Sequence, residues 1–211
     1  MQPQTPVKSA TANTATPTVS TQRRKLLGAG AAWLALPAAA QVAGQAMPPV
    51  SVAVPWPEVR AALPQAQLAG SARLRVWGFE VYDAHLWVGP GFRASQYETL
   101  PLALSLSYLR AFKGHQIAER SLKEMRALQD ISRTQAANWL SAMTQIFPDV
   151  NPADRLTGMH QPGARARFWL NTQAIGQVAD ADFSTLFFGI WLAKASSEPA
   201  LRRDLLAGVP A

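Results

Sequence analysis

The chain has 211 residues, 48% of them hydrophobic and 16% charged, with no cysteine and a formal net charge of +7. Its apolar content is enough for a packed core and excludes wholesale disorder. The missing cysteines exclude a disulfide framework, a cysteine-ligated zinc or iron–sulfur site and a thiol nucleophile, and no apolar run reaches the ~18 residues of a spanning helix.

The basic balance suggests a nucleic-acid partner until its distribution is considered. Residues 1–20 are small and polar. Arg23, Arg24 and Lys25 follow, then an apolar stretch from Leu26 to Leu36, Pro37 and Ala38-Ala39-Ala40. Basic, apolar and small-residue regions in that order form an export signal. Adjacent arginines followed by x-Leu-Leu fit the twin-arginine pattern, with a general secretory signal as the alternative. Residues 1–46 are therefore expected to be a leader cleaved near Ala40 or Ala46, and residues 47–211 a single periplasmic domain. The leader segment holds four of the 20 basic residues and none of the 13 acidic ones, so the remainder carries +3. Those charges are interspersed, and without a basic stripe no nucleic-acid partner is expected. Membrane contact is expected only transiently, during export.

In chain order, Pro48, Pro49, Pro55 and Pro57 mark an extended lead-in, and Val59 to Leu63 a short helical turn. Leu68 to Val88 is rich in β-formers, with Gly78 as a hairpin turn or bulge. Residues 102–109 alternate apolar and polar side chains, the period of a half-buried strand. Ile117, Ser121, Leu122, Met125 and Leu128 then share one face of a helix starting near Gly114. A second helical stripe runs from Ala136 to Phe147 and stops at Pro148. Residues 156–161, 165–171 and 174–178 read as strands, with a tight turn at Asn171-Thr172-Gln173. Asp180 is placed to cap a helix carrying Phe183, Leu186, Phe187, Ile190 and Trp191. A last helix begins near Glu198-Pro199, buries Leu201 and Leu205 and ends by Gly208. Strands, two helices, strands and two helices predict an α+β domain.

Little of the sequence reads as catalytic. His85, His115 and His160 are far apart, and none pairs with an acid at ligand spacing, so no metal is expected. No cofactor motif, nucleophile elbow or phosphate loop is present. Asp149, Asp154, Asp180 and Asp182 suit turns and caps. The block from Gly70 to Val88 stands apart, because it sets Arg73 or Arg75 and Tyr82 among large apolar side chains. A guanidinium and a phenol converging in an apolar cleft would receive one carboxylate or enolate. Equally, both arginines could be exposed on the strand surface with Tyr82 in the core; on the residues alone, that reading is the simpler.

Three blocks, LAGSARLRVWGFEVYDAHLWV, YLRAFKGHQIAERSLKEM and RFWLNTQAIGQVADADFSTLFFGIWLA, resemble the bacterial chalcone isomerase-like domain family and cover most of residues 65–207. The resemblance implies an open-faced β-sandwich, a large and mostly antiparallel sheet with a layer of helices on one face and a ligand cleft between them. It places the family's strand arginine on Arg73, with Arg75 as the alternative. It places on Tyr82 the position that is threonine in true isomerases and tyrosine in fatty-acid binders, with Trp77, Phe79 and Trp87 around them. The chain departs from the isomerases where Ile117, Glu124 and Ile190 stand at usual active-site positions. The implied function is a periplasmic, non-catalytic protein holding a fatty-acid-like or other apolar carboxylate, without a cofactor, so that Arg73→Ala would abolish ligand retention. Two alternatives stand beside it. One is a structural or partner-binding envelope protein whose cleft is filled by side chains such as Trp169 or Trp191. The other is an intramolecular lyase or isomerase acting on an enone-like substrate.

Overall fold

A computed structural model describes residues 53–211; the leader expected at residues 1–46 lies outside them. Six strands form one antiparallel sheet in sequence order: β1 (Gln67–Val76), β2 (Phe79–Val88), β3 (Leu102–Tyr108), β4 (Arg155–Gln161), β5 (Arg165–Leu170) and β6 (Gln173–Val178). Helices α2 (Gly114–Leu128) and α3 (Arg133–Ile146) join β3 to β4, and α4 (Ala181–Leu192) and α5 (Pro199–Leu205) follow β6. A short α1 (Pro57–Ala62) precedes the sheet. The architecture is the α+β domain that the strand–helix order predicts, built as the open-faced sheet with packed helices that the family resemblance implies.

Local chemistry sets the boundaries. Trp77 and Gly78 both have positive φ, 49° and 82°, in the two-residue loop between β1 and β2, which is closed by the Val76–Phe79 pair. Gly78 meets the left-handed requirement of such a loop at no steric cost. The side chain of Asp180 caps α4 by accepting from the Phe183 amide at 2.9 Å, while its other oxygen accepts from Trp139 Nε1 at 2.8 Å. One carboxylate thus starts α4 and ties it to α3. At Gly70 the backbone of α5 comes so close to β1 that a Cβ would overlap the carbonyl groups of Asp204 and Leu205.

The sheet is covered on both faces, unequally. Leu102, Leu104, Leu106 and Tyr108 of β3 pack into the main core with Leu122, Met125, Phe183, Phe187 and Phe188 from the helices. On the opposite face, Val59 of α1 packs with Trp87, Ala103, Met159 and Trp169. Strand β3 is therefore not half-buried as its alternation suggests, since Ala103 and Ser105 are fully buried. The polar face pairs several of its groups internally, while Glu58 Oε2, His85 Nδ1 and Trp87 Nε1 are buried without a hydrogen-bond partner. Thr157 Oγ1 donates to Glu58 Oε1 at 3.1 Å, and Ser105 lies 3.0 Å from Thr157. Because Thr157 spends its one proton on Glu58, Ser105 is the donor between the two hydroxyls. Arg155 Nη2 pairs with the same Glu58 oxygen at 2.9 Å, and its guanidinium lies over the Trp56 ring at 4.5 Å. A short helix and one buried ion pair convert the polar side of β3 into a second, smaller core.

Candidate functional site

Between the helix-covered face of the sheet and helices α2, α4 and α5 lies a cleft of about 420 Å³. This falls within the ~300–1,000 Å³ of ordinary small-molecule sites. Its floor is apolar: Leu74 and Val76 from β1, Val81 from β2, Leu106 from β3 and Leu156 from β4. Ile117, Phe187 and Ile190 form much of the roof. Polar groups are few. Tyr82 and Tyr108 stand on the floor, with ring centroids 6.0 Å apart, while Gln116, Arg120, Ser121, Glu124, Ser197 and Glu198 come from the helical side.

The cleft has a defined hydrogen-bonding pattern. Trp191 Nε1 donates to the Tyr82 hydroxyl at 2.9 Å. That bond uses an acceptor lone pair, so the phenolic proton remains to be donated. Burial raises the pKa of Tyr82 above its ordinary value; the Trp191 hydrogen bond opposes the rise without cancelling it. Burial also raises Tyr108. Both are neutral donors at physiological pH. At the rim, Arg120 pairs with Glu124 at 2.7 Å, one helical turn away, and Ser197 Oγ donates to the other Glu124 oxygen at 2.7 Å. The Arg120 side chain is 62% exposed and that of Glu124 only 13%.

Of Arg73, Arg75, Trp77, Phe79, Tyr82 and Trp87, only Tyr82 lines this cleft. Arg73 and Arg75 lie on the other side of β1, because Leu74 and Val76 take the cleft side and side chains alternate. Shifting by two residues from Arg73 to Arg75 keeps the same, outward face. Arg73 sits opposite Asp83 in the β1–β2 register and donates to its two oxygens at 2.6 and 2.8 Å, and to Glu80 at 2.8 Å. Arg75 donates to the same Glu80 at 2.9 Å. Hydrogen bonds from Arg73 hold Asp83 below the usual carboxylate range, as those from Arg73 and Arg75 do for Glu80. These arginines form a surface ion-pair cluster. Trp77 projects from the hairpin tip, 94% exposed, and Trp87 is buried in the smaller core on the far face. The expected anchor of Arg73 with Tyr82 is thus split across the two faces of the sheet.

The three positions at which the chain departs from the isomerase pattern, Ile117, Glu124 and Ile190, all line the cleft. Arg120, Ser121 and Tyr108 were not singled out from sequence as site residues. Their signal lies in periodicity. Ile117, Ser121 and Glu124 share a helical stripe, with Arg120 one turn before Glu124, and Tyr108 continues the inward series of Leu104 and Leu106. Trp191 forms part of the cleft wall without filling the space, and Trp169 is on the opposite face. Among the described residues, no group of three or more His, Asp or Glu side chains is placed to hold a metal ion.

The family model described as chalcone isomerase-like matches residues 56–207. An uncharacterized protein of Haemophilus influenzae is 34% identical over 131 residues, which cover 62% of this chain and 63% of that protein, so the match spans less than two thirds of the relative's length. The crystal structure of an Arabidopsis thaliana fatty-acid binding protein superimposes with a TM-score of 0.52 at 12% identity, covering 67% of this chain and 87% of the other. At that identity the superposition establishes a shared fold.

Proposed function

The chain belongs to the chalcone isomerase-like family, and we propose that it is an exported, non-catalytic binding protein that holds one small apolar molecule in the sheet–helix cleft. The observation that carries this reading is the cleft itself. About 420 Å³ remain open between apolar walls, next to a buried phenol whose proton is available to a ligand. Apolar walls with a few fixed polar groups are the usual composition of a small-molecule site. The fold shared with a plant fatty-acid binding protein is consistent with an acyl-like occupant. The leader-like pattern around Arg23 and Arg24 supports a periplasmic location.

Absence of catalysis is part of the proposal. Ile117 and Ile190 put hydrocarbon at two positions where the isomerase pattern has polar groups, and Glu124 is engaged by Arg120 and Ser197. A cyclising reaction depends on holding its substrate in a reactive pose, and two phenols and one paired arginine offer limited means of doing so. The open cleft also argues against the alternative of an envelope protein with a filled cleft.

The test is binding of a neutral solvatochromic dye, Nile red, to the parent chain and to a cleft-filling Ile190→Trp variant. Saturable one-to-one binding, lost in Ile190→Trp but kept in Arg73→Ala, is expected. Equal binding by parent and Ile190→Trp would refute the reading.

A further inference from the structure

We infer that the cleft selects molecules whose polar end is an uncharged hydrogen-bond acceptor, such as the carbonyl of an ester or ketone, over carboxylates of the same size. The inference rests on the cleft being the binding site.

The charges around the cleft carry it. Both strand arginines face away and are occupied by Asp83 and Glu80. Among the described residues the single cation on the cleft wall, Arg120, is paired with Glu124, and Glu198 is a second acid on the same rim. The rim thus carries one positive and two negative side chains. An entering carboxylate would have to share Arg120 with Glu124, and would bring a third negative charge to a rim where one guanidinium already faces two acids. Like charges crowded at a partly buried site disfavour one another.

Deeper in the cleft the donors are neutral. Tyr82 is buried, accepts from Trp191 and has its own proton to give. The charges sensed at that hydroxyl agree with the geometry. Glu198 and Glu124 both oppose a negative charge there and Arg120 alone favours one, the effect of Glu198 being the largest of the three. A carbonyl oxygen can accept from the phenol without bringing a charge into this field, and its apolar body replaces water along Leu74, Val81, Leu106 and Ile117.

Methyl dodecanoate and tridecanoic acid contain the same atoms, so hydrophobic burial is closely matched between them. Each is titrated at pH 7.5 against Nile red bound to the full-length chain. The ester is expected to compete with an affinity higher by about tenfold or more. Tyr82→Phe should weaken the ester by roughly five- to tenfold. Glu124→Gln combined with Glu198→Gln should narrow the gap by improving the acid. Equal or tighter binding of the acid by the parent chain overturns the inference while leaving the cleft as a binding site. If Nile red binds but neither compound displaces it, the inference also fails. If Nile red itself fails to bind one-to-one, the cleft reading fails and this inference falls with it.

Discussion

The indole of Trp191 in α4 and the phenol of Tyr82 in β2 are joined by a 2.9 Å hydrogen bond in which the indole donates. It links the helical roof of the cleft to its floor, 109 residues apart in the chain. The two rings are 7% and 9% exposed, so neither polar atom can readily exchange its partner for water. The bond ties α4 to β2 and leaves the phenolic proton unused.

Tyr82→Phe leaves the Trp191 N–H without an acceptor. The expected loss is about 1–3 kcal/mol of unfolding free energy, the cost of an unsatisfied buried donor. Trp191→Phe made in the same background should then cost less than it does alone, because the orphaned donor has gone. Chemical denaturation of the two single variants and the double variant measures the coupling; strictly additive losses would show that the bond contributes nothing.

Arg73→Ala should leave ligand binding unchanged and lower the thermal midpoint only slightly. Its guanidinium holds Asp83 and Glu80 on the solvent side of the β1–β2 hairpin, and exposed ion pairs contribute little. This reverses the outcome that the family resemblance implies for the same substitution. Dye titration and a melting curve on one preparation decide between the two.

Glu58→Ala should be far more damaging, although Glu58 sits on the short α1. Its side chain is 1% exposed and is the shared acceptor for Arg155 and Thr157. Removing it strands a guanidinium that is itself only 15% exposed, which costs about 3–5 kcal/mol. Replacing both members, Glu58→Leu with Arg155→Met, should recover much of that loss. Urea unfolding of the three proteins reads the difference, and a double variant no better than Glu58→Ala would contradict it.

Stability should fall on mild acidification, and two histidines give the sign. Burial lowers the pKa of His85, with the charge of Arg155 adding to the effect and that of Asp83 opposing it. Burial also lowers His160, against opposing contributions from the Glu98 carbonyl and side chain. The Glu98 carbonyl accepts from His160 Nε2 at 3.0 Å, so the neutral ring keeps its proton there, and Nδ1 lies 2.6 Å from the Ser184 hydroxyl, whose single proton it shares with the Arg165 carbonyl at 3.0 Å. A folded-state pKa below the unfolded value means that stability is fully present above about pH 6.5 and is lost as the pH falls below it. Asp83, Asp149 and Asp154 are also lowered, Asp83 by Arg73, Asp149 by Lys113 and Asp154 by the Asn151 amide, which adds a second decline below about pH 4. Melting curves from pH 8 to 3 should show both steps. The first should shrink in a folded His160→Gln variant, and an unchanged first step would remove His160 from the account.

The elements were legible because their signals are local. The Asp180 cap, the Trp77-Gly78 loop, the Pro148 stop and the stripe from Phe183 to Trp191 each involve neighbours within a few residues, and each is found in the structure. What escaped was which face of a strand meets which layer. The alternation in β3 is real, but burial of its small and polar side depends on α1, more than 40 residues earlier in the chain. Arg73 and Tyr82 look like partners because both lie on one hairpin. The register pairs Tyr82 with Leu74 and Arg73 with Asp83, and with a period of two that places them on opposite faces. Arg120 and Glu124 show only helical spacing in the sequence; the rim they form arises when α2 packs beside α4 and Glu124 meets Ser197, just before α5.

Native mass spectrometry of the protein, purified without detergent from the cells that make it, tests the binding claim most directly. The parent chain should carry a one-to-one mass excess that denaturation releases as an apolar molecule, and the Ile190→Trp variant should lack it. A clean apo mass for the parent that does not shift when methyl dodecanoate or a fatty acid is added, or an identical excess in Ile190→Trp, would contradict the assignment of the cleft as the site.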